Sequence, residues 1–195
     1  MSGMRLLFPG ESFTLQDVVS VPDAPSVKLG PGSRDARDRY IREVGKESPG
    51  APEMGGVFER IERAIMGYRI YPPSLLQGQL PSVSIQSGDT LALRMMLPLG
   101  FGLGFGTRVQ SAGRTEGEGW IRSGFSYTTL KGHPELGEAW FCVEKEAATG
   151  LVRIHLHSWS RPGNLLARLG RPIARRMQIR ANRLALDHLE SQSKA

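Results

Sequence analysis

Between residues 80 and 159, apolar side chains recur at every second position, and turn residues cut the stretch into short pieces. Period two marks a strand with one buried face. The candidate strands are 82–86, 90–97, 101–110, 119–130, 138–146 and 150–159. Between them stand Ser87-Gly88-Asp89, Gly113, Gly117, the run Gly132 to Pro134, and Thr149-Gly150. Parallel neighbours need a crossover of about a dozen residues, so turns this short predict an antiparallel meander.

Helical signals flank the meander. In "GGVFERIERAIMGYRIYPPSLL", Val57, Ile61, Ala64 and Ile65 form an i, i+4, i+7, i+8 stripe. Gly67 and Pro72-Pro73 end it. A long helix is predicted over about 163–190, with Gly170 and Pro172 disturbing its first turns. Its apolar face reads as Leu166, Leu169, Ile173, Met177, Ala181 and Leu184 at roughly 100° per residue. Arg168, Arg171 and Arg175 fall away from that face, and Arg176, Arg180 and Arg183 flank it. "SRDARDRYIREVGKE" (33–47), with Ser33 as N-cap and early acids, predicts a short exposed helix. Prolines at 9, 22, 25 and 31 predict loops and one or two short strands before it, and 48–56 reads as a connector. The expected fold class is α+β: one curved antiparallel sheet around a long C-terminal helix, with a hollow between them.

A chain of 195 residues is expected to form a single domain. The lone Cys142 excludes an intramolecular disulfide and a cysteine-rich metal site. With neither a signal peptide nor a long apolar run, a soluble cytoplasmic protein is expected. The net charge of +6 is concentrated: seven arginines and no acid lie between Arg161 and Arg183, leaving 18 Lys+Arg against 19 Asp+Glu elsewhere. Such a helix is a solvated face, or else a contact for an anionic membrane surface. Nucleic acid is disfavoured, because no aromatic residues interleave with these arginines.

Several motifs carry chemistry on paper. His155 and His157 point the same way on one strand, as metal ligands would, but further ligands at suitable spacing are missing and no metal is expected. Pairing across to a neighbouring strand, or lining a cavity beside Trp159, is the preferred reading. "LPLGFGLGFGTRV" fails the dinucleotide fingerprint. It alternates Leu99, Phe101, Leu103 and Phe105 with bare glycines, which predicts close packing against the glycine face. No nucleophile motif is present, and Cys142 reads as a buried inert thiol.

The segments "TLKGHPELGEAWFCVE" and "SWSRPGNLLARLGRPIARRMQ" carry a resemblance. Thr129, Leu130, Gly132, His133, Pro134, Glu135, Gly137, Glu138, Ser160, Arg161 and Pro162 resemble the pattern of a bacterial and plant family, domain of unknown function nineteen-ninety. The family-like core spans about 56–190, while 1–50 match poorly. The resemblance implies a fold similar to the START and Bet v 1 helix-grip proteins, whose wider group binds lipids, sterols or polyketides and includes a few cyclases.

These readings converge on binding of a hydrophobic or amphipathic small molecule, lipid- or polyketide-like, between sheet and C-terminal helix, with no cofactor. Binding is favoured over catalysis. Phe125, Tyr127, Trp140 and Trp159 are the expected walls, and Thr129, His133, Glu135 and Arg161 the expected polar rim. In the hairpin turn, His133 is expected to bond backbone carbonyls, and Glu135 to cap amides or pair with Arg161. The alternatives are a cyclase-like or hydrolase-like enzyme using His133 and Glu135, and an interaction protein that docks its basic helix.

Overall fold

The computed structural model describes residues 4–24, 31–32, 35–133, 135–163 and 171–194, with only the backbone of Arg171 and Ile173. In chain order the elements are β1 (Met4–Leu7), β2 (Ala36–Lys46), α1 (Val57–Met66), β3 (Leu76–Gln79), β4 (Thr90–Met96), β5 (Gly102–Gly117), β6 (Trp120–Thr129), β7 (Glu135–Glu146), β8 (Leu151–Pro162) and α2 (Arg171–Ser193). The strands form one antiparallel sheet in the order β2-β8-β7-β6-β5-β4-β3. β5 outruns β6, which pairs with it only from Thr107 onward. β1 takes the vacated edge, pairing with Gly102 to Phe105. The sheet, α1 and the C-terminal helix enclose one core, so the α+β helix-grip arrangement is the one observed.

Alternation sorts the strands into two faces. The inner face carries Phe125, Phe141, Val143, Ile154 and Leu156, packed with Phe58, Ile61 and Ile65 of α1 and with Leu186 and Leu189 of α2. Burying one such side chain stabilises by about 1.5–3 kcal/mol. The outer face of β4–β5 is covered instead by residues 13–21. Val18 and Val21 form a second small core there with Ala92 and Leu130, flanked by Phe13 and Leu15. A Cβ on Gly104 would collide with the Phe13 ring, and one on Gly106 with Val18 and Leu130. The glycine alternation thus serves close packing, as expected, and the partner is the chain's own N-terminal segment.

Glu47 ties the connector to the core. Its carboxylate accepts from the amides of Phe58 (2.7 Å) and Glu53 (3.1 Å) and pairs with Lys145 Nζ at 2.9 Å. One orphan amide of α1, that of Phe58, is met this way, since Gly56 at the N-cap has no side chain to offer.

Four expectations need correction. Residues 36–46 are strand β2, not a helix. Their inner face, Asp38, Tyr40, Arg42 and Val44, is half charged, so hydropathy hides its period of two. α2 supplies the counter-charges, Arg175 to Asp38 and both Asp187 and Glu190 to Arg42. The expected strand at 82–86 is a run of bends, with Val83 fully in solvent; the edge strand is β3 at 76–79. Gly113, expected in a turn, lies inside β5 at φ 130°, and the reversal comes at Glu118-Gly119. The inward face of α2 is rotated from the expected stripe: Asn182, Ala185, Leu186 and Leu189 are buried while Met177 is 46% exposed. The expectations placed on Leu166, Arg168, Leu169 and Gly170, and on the side chains of Arg171 and Ile173, lie outside the described residues.

Candidate functional site

α2 runs alongside β2 and β8 on the inner side. Arg175 Nη2 donates to Asp38 Oδ1 at 2.7 Å, Gln178 Nε2 to Ser160 Oγ at 3.2 Å, and Ser193 Oγ to the Val44 carbonyl at 3.1 Å. The strands further along are left to α1 and the loop after it. An open cleft of about 340 Å³ lies there, between α2 and the β3 edge. Tyr68, Tyr71, Pro73, Leu76, His188 and Gln192 line it, and Arg69 stands exposed at its rim.

Its floor is aromatic. Tyr68 lies 6.5 Å from Tyr71 and 6.1 Å from Phe125, and Tyr127 stacks on Phe125 and Phe141 at 6.1 Å. Tyr68 is held at φ 53°, a left-handed conformation costly for a residue with a Cβ. Burial pushes the Tyr68 and Tyr71 phenols well above their ordinary pKa and that of Tyr127 up to about 12. Burial also lowers His188. These groups are neutral at pH 7.

Beyond Tyr127 the inner face changes character. One register row runs Tyr127, Ala139, Ser158, Asp38, and the next runs Thr107, Thr129, Gly137, Ser160, Ala36. Small and hydroxylated side chains replace the large apolar ones of the rows below. Three polar atoms here and on the facing elements are buried without a hydrogen-bond partner: Thr107 Oγ1, Ser158 Oγ and Asn182 Nδ2. The Tyr68 and Tyr127 phenols pair with each other, an interaction that helps raise Tyr68 and offsets part of the rise in Tyr127.

The expected site residues divide between the two faces. Phe125, Tyr127 and Thr129 face inward. The Thr129 hydroxyl accepts from the Gly137 amide at 3.1 Å and so holds the hairpin. His133 packs edge-on against Phe105 at 4.7 Å, and burial lowers its pKa to about 4. Its Nδ1 accepts from the Glu135 amide at 3.1 Å rather than its imidazole bonding carbonyls, so the contact between these two residues runs through backbone, not carboxylate. Trp140, Trp159 and Arg161 sit on the outer face and do not wall the hollow between sheet and helix. Alternation forces this: odd positions of β8 point out when Ile154 and Leu156 point in. Trp140 packs on His157 at 4.9 Å, Trp159 Nε1 donates to Glu138 at 3.3 Å, and Arg161 lies over Trp159 and 3.6 Å from Asp35. His155 and His157 share that outer face, with His155 Nε2 3.3 Å from Glu144 on the next strand, so they do not line the inner hollow. Burial pushes the Cys142 thiol up to about 12.

The family described as Domain of unknown function (DUF1990) matches residues 28–188. The chain belongs to this family. No curated protein is recognisably similar in sequence. A hypothetical protein from Helicobacter pylori superposes with TM-score 0.53 at 10% identity, covering 89% of this chain and 96% of its own, and shares the fold. Looser likenesses are Ara h 8.0201 (TM-score 0.44, 11% identity, 81% and 98% covered) and a Thalictrum flavum norcoclaurine synthase point mutant (0.46, 9%, 84% and 100%). Among the described residues of this DUF1990 chain, no helix is long and apolar enough to cross a membrane.

The sequence reading missed the cleft residues of this DUF1990 protein. Tyr68 and Tyr71 were legible only as the helix's trailing edge, although an aromatic pair after a glycine stop and before Pro72-Pro73 was a usable signal.

Proposed function

We propose that the protein binds a hydrophobic or amphipathic small molecule between the sheet and the C-terminal helix. The observation that carries this reading is the cleft of about 340 Å³ floored by Tyr68 and Tyr71. Its size and its mixture of aromatic walls with a few polar groups suit a small-molecule site. Of the expected walls, Phe125 backs the Tyr68 floor and Tyr127 stacks behind it, while Thr129 and His133 are not among the residues that line the cleft. Trp140, Trp159 and Arg161 are not part of it.

A neutral fluorescent hydrophobe, N-phenyl-1-naphthylamine, tests the reading. Saturable binding is expected in the native protein and its loss in His188→Trp, which fills the cleft from α2. Thermal unfolding shows whether that variant is folded. No saturable binding in the native protein, or unchanged binding in folded His188→Trp, overturns the proposal.

A second reading concerns delivery. Arg176, Arg180 and Arg183 are exposed along α2, and no acid precedes Asp187 on that helix. Each basic residue near an anionic bilayer contributes on the order of 1 kcal/mol. Sedimentation with phosphatidylserine vesicles, lost in the triple Arg→Gln variant, tests it; equal sedimentation of the variant rejects it.

A further inference from the structure

The class of ligand the cleft takes, an inference that rests on the binding reading above, is constrained by what lines it. No carboxylate is among the described residues of its wall; the titratable groups there are Arg69, His188, Tyr68 and Tyr71. The two acids of α2 are engaged elsewhere, since Arg42 of β2 holds both Asp187 and Glu190. His188 and the two tyrosines are neutral at pH 7, so Arg69 is the one charge in the lining.

Most of the Arg69 guanidinium is unused. It makes one long hydrogen bond, Nη2 to the Arg63 carbonyl at 3.4 Å. That bond serves the last turn of α1 and takes one N–H of the five that the fork carries. Among the described residues no acid pairs with Arg69. On the α2 side of the cleft, His188 and Gln192 stand one helical turn apart and share a face. Neither side chain has a hydrogen-bond partner among the described residues. The mouth therefore holds a free cation and two free polar groups, with nothing negative beside them.

The floor is closed and aromatic. Tyr68 and Tyr71 are 5% and 9% exposed, and Phe125 and Phe141 pack behind them as part of the core. At about 340 Å³ the cleft is at the small end of ligand sites. A long acyl chain would lie mostly outside it. A flat ring fits, and aromatic faces receive one in offset or edge-on contact. A carboxylate on that ring would remain at the mouth, keep part of its hydration and gain a charge-assisted fork from Arg69. A cationic head would meet the same guanidinium with no acid to hold it.

We propose that the cleft takes a compact aromatic carboxylate. Its ring lies on Tyr68 and Tyr71, and its carboxylate sits on Arg69 with His188 and Gln192 as further donors. The ligand class is a flat aromatic acid, not a long-chain lipid and not an amine.

The test is displacement of N-phenyl-1-naphthylamine at pH 8 and low salt by 2-naphthoate, 2-naphthalenemethanol and decanoate. The first two share a ring and differ in head; the first and third share a head and differ in body. Naphthoate is expected to displace about fivefold more effectively than the alcohol, which is what an exposed ion pair of good geometry supplies. It is expected to exceed decanoate as well. In Arg69→Gln the ratio of acid to alcohol should fall to near one, with thermal unfolding as the check on folding. Arg63→Gln removes the same charge from an exposed site outside the cleft lining and should keep the ratio. Equal or stronger displacement by the alcohol overturns the carboxylate head. So does a preference that survives in folded Arg69→Gln, or one lost equally in Arg63→Gln. Stronger displacement by decanoate overturns the aromatic body, and a bound probe that none of the three displaces overturns both. Failure of the probe to bind at all defeats the binding reading instead.

Discussion

Lys145 and Glu47 meet at 2.9 Å with neither side chain exposed, joining the end of β7 to the residue that follows β2. Lys145 Nζ also donates to the Ala51 carbonyl at 2.7 Å, and Glu47 accepts from the Phe58 amide in the first turn of α1. Removing one partner strands the other charge. Lys145→Met should therefore cost about 3–5 kcal/mol in urea unfolding. Adding Glu47→Gln should recover part of that loss. A cost below about 1 kcal/mol for the single variant would show that the pair is not what fixes the connector.

Arg175 grips Asp38 with two nitrogens, and Asp38 is almost fully enclosed. The pair raises the Arg175 pKa and anchors the first described turns of α2. Lysine cannot reproduce the fork. Arg175→Lys should speed amide exchange over 175–182 and leave 185–193, held by the core, unchanged. Uniform exchange along the helix would contradict a local anchor.

His133 gives a pH dependence of known sign. Its pKa falls from 6.5 to about 4 on folding, because burial disfavours the charged ring. Between those values the unfolded chain binds the extra proton, so stability falls as pH drops from 6.5 toward 4. At about 1.4 kcal/mol per unit the full shift is about 3 kcal/mol, and on the order of 2 after screening at this partly exposed ring. Urea midpoints at pH 7 and pH 5 should differ less in His133→Gln than in the native protein. An unaltered difference assigns the acid sensitivity to His155, His157 and His188, whose values burial also lowers.

Gly104 and Phe13 are in direct opposition across the outer face. Gly104→Ala should cost about 1–3 kcal/mol by overpacking. In a Phe13→Ala background the same change should cost much less. Additive costs would mean that the two do not share the space.

Much of the scaffold was legible because its signals were local. Strands β4 to β8 announce themselves by apolar alternation and by turns, and α1 by its stripe and the Gly67 stop. β2 was not legible, because its inward face is Asp38, Tyr40, Arg42 and Val44, and charge there makes sense only once α2 supplies the opposite charges. α2 was misread for the same reason: Gln178 and Asn182 occupy the inward stripe, so aligning on apolar residues alone turned the helix. The tryptophans were assigned to the wrong side because all three strand-borne aromatic types look alike in sequence, and only the register separates Phe141 from Trp140. Polar residues placed where a core pattern wants apolar ones were the signal.

The N-terminal cover over β5 has a consequence for descent. The family match begins at residue 28, so Phe13 and Val18 lie outside the matched region while the glycines they press against lie inside it. A change in one alters the space that the other must fit. A relative that keeps glycine at the positions of Gly104 and Gly106 should bring its own plug for that face. One that has lost the plug should have refilled the strand with larger side chains.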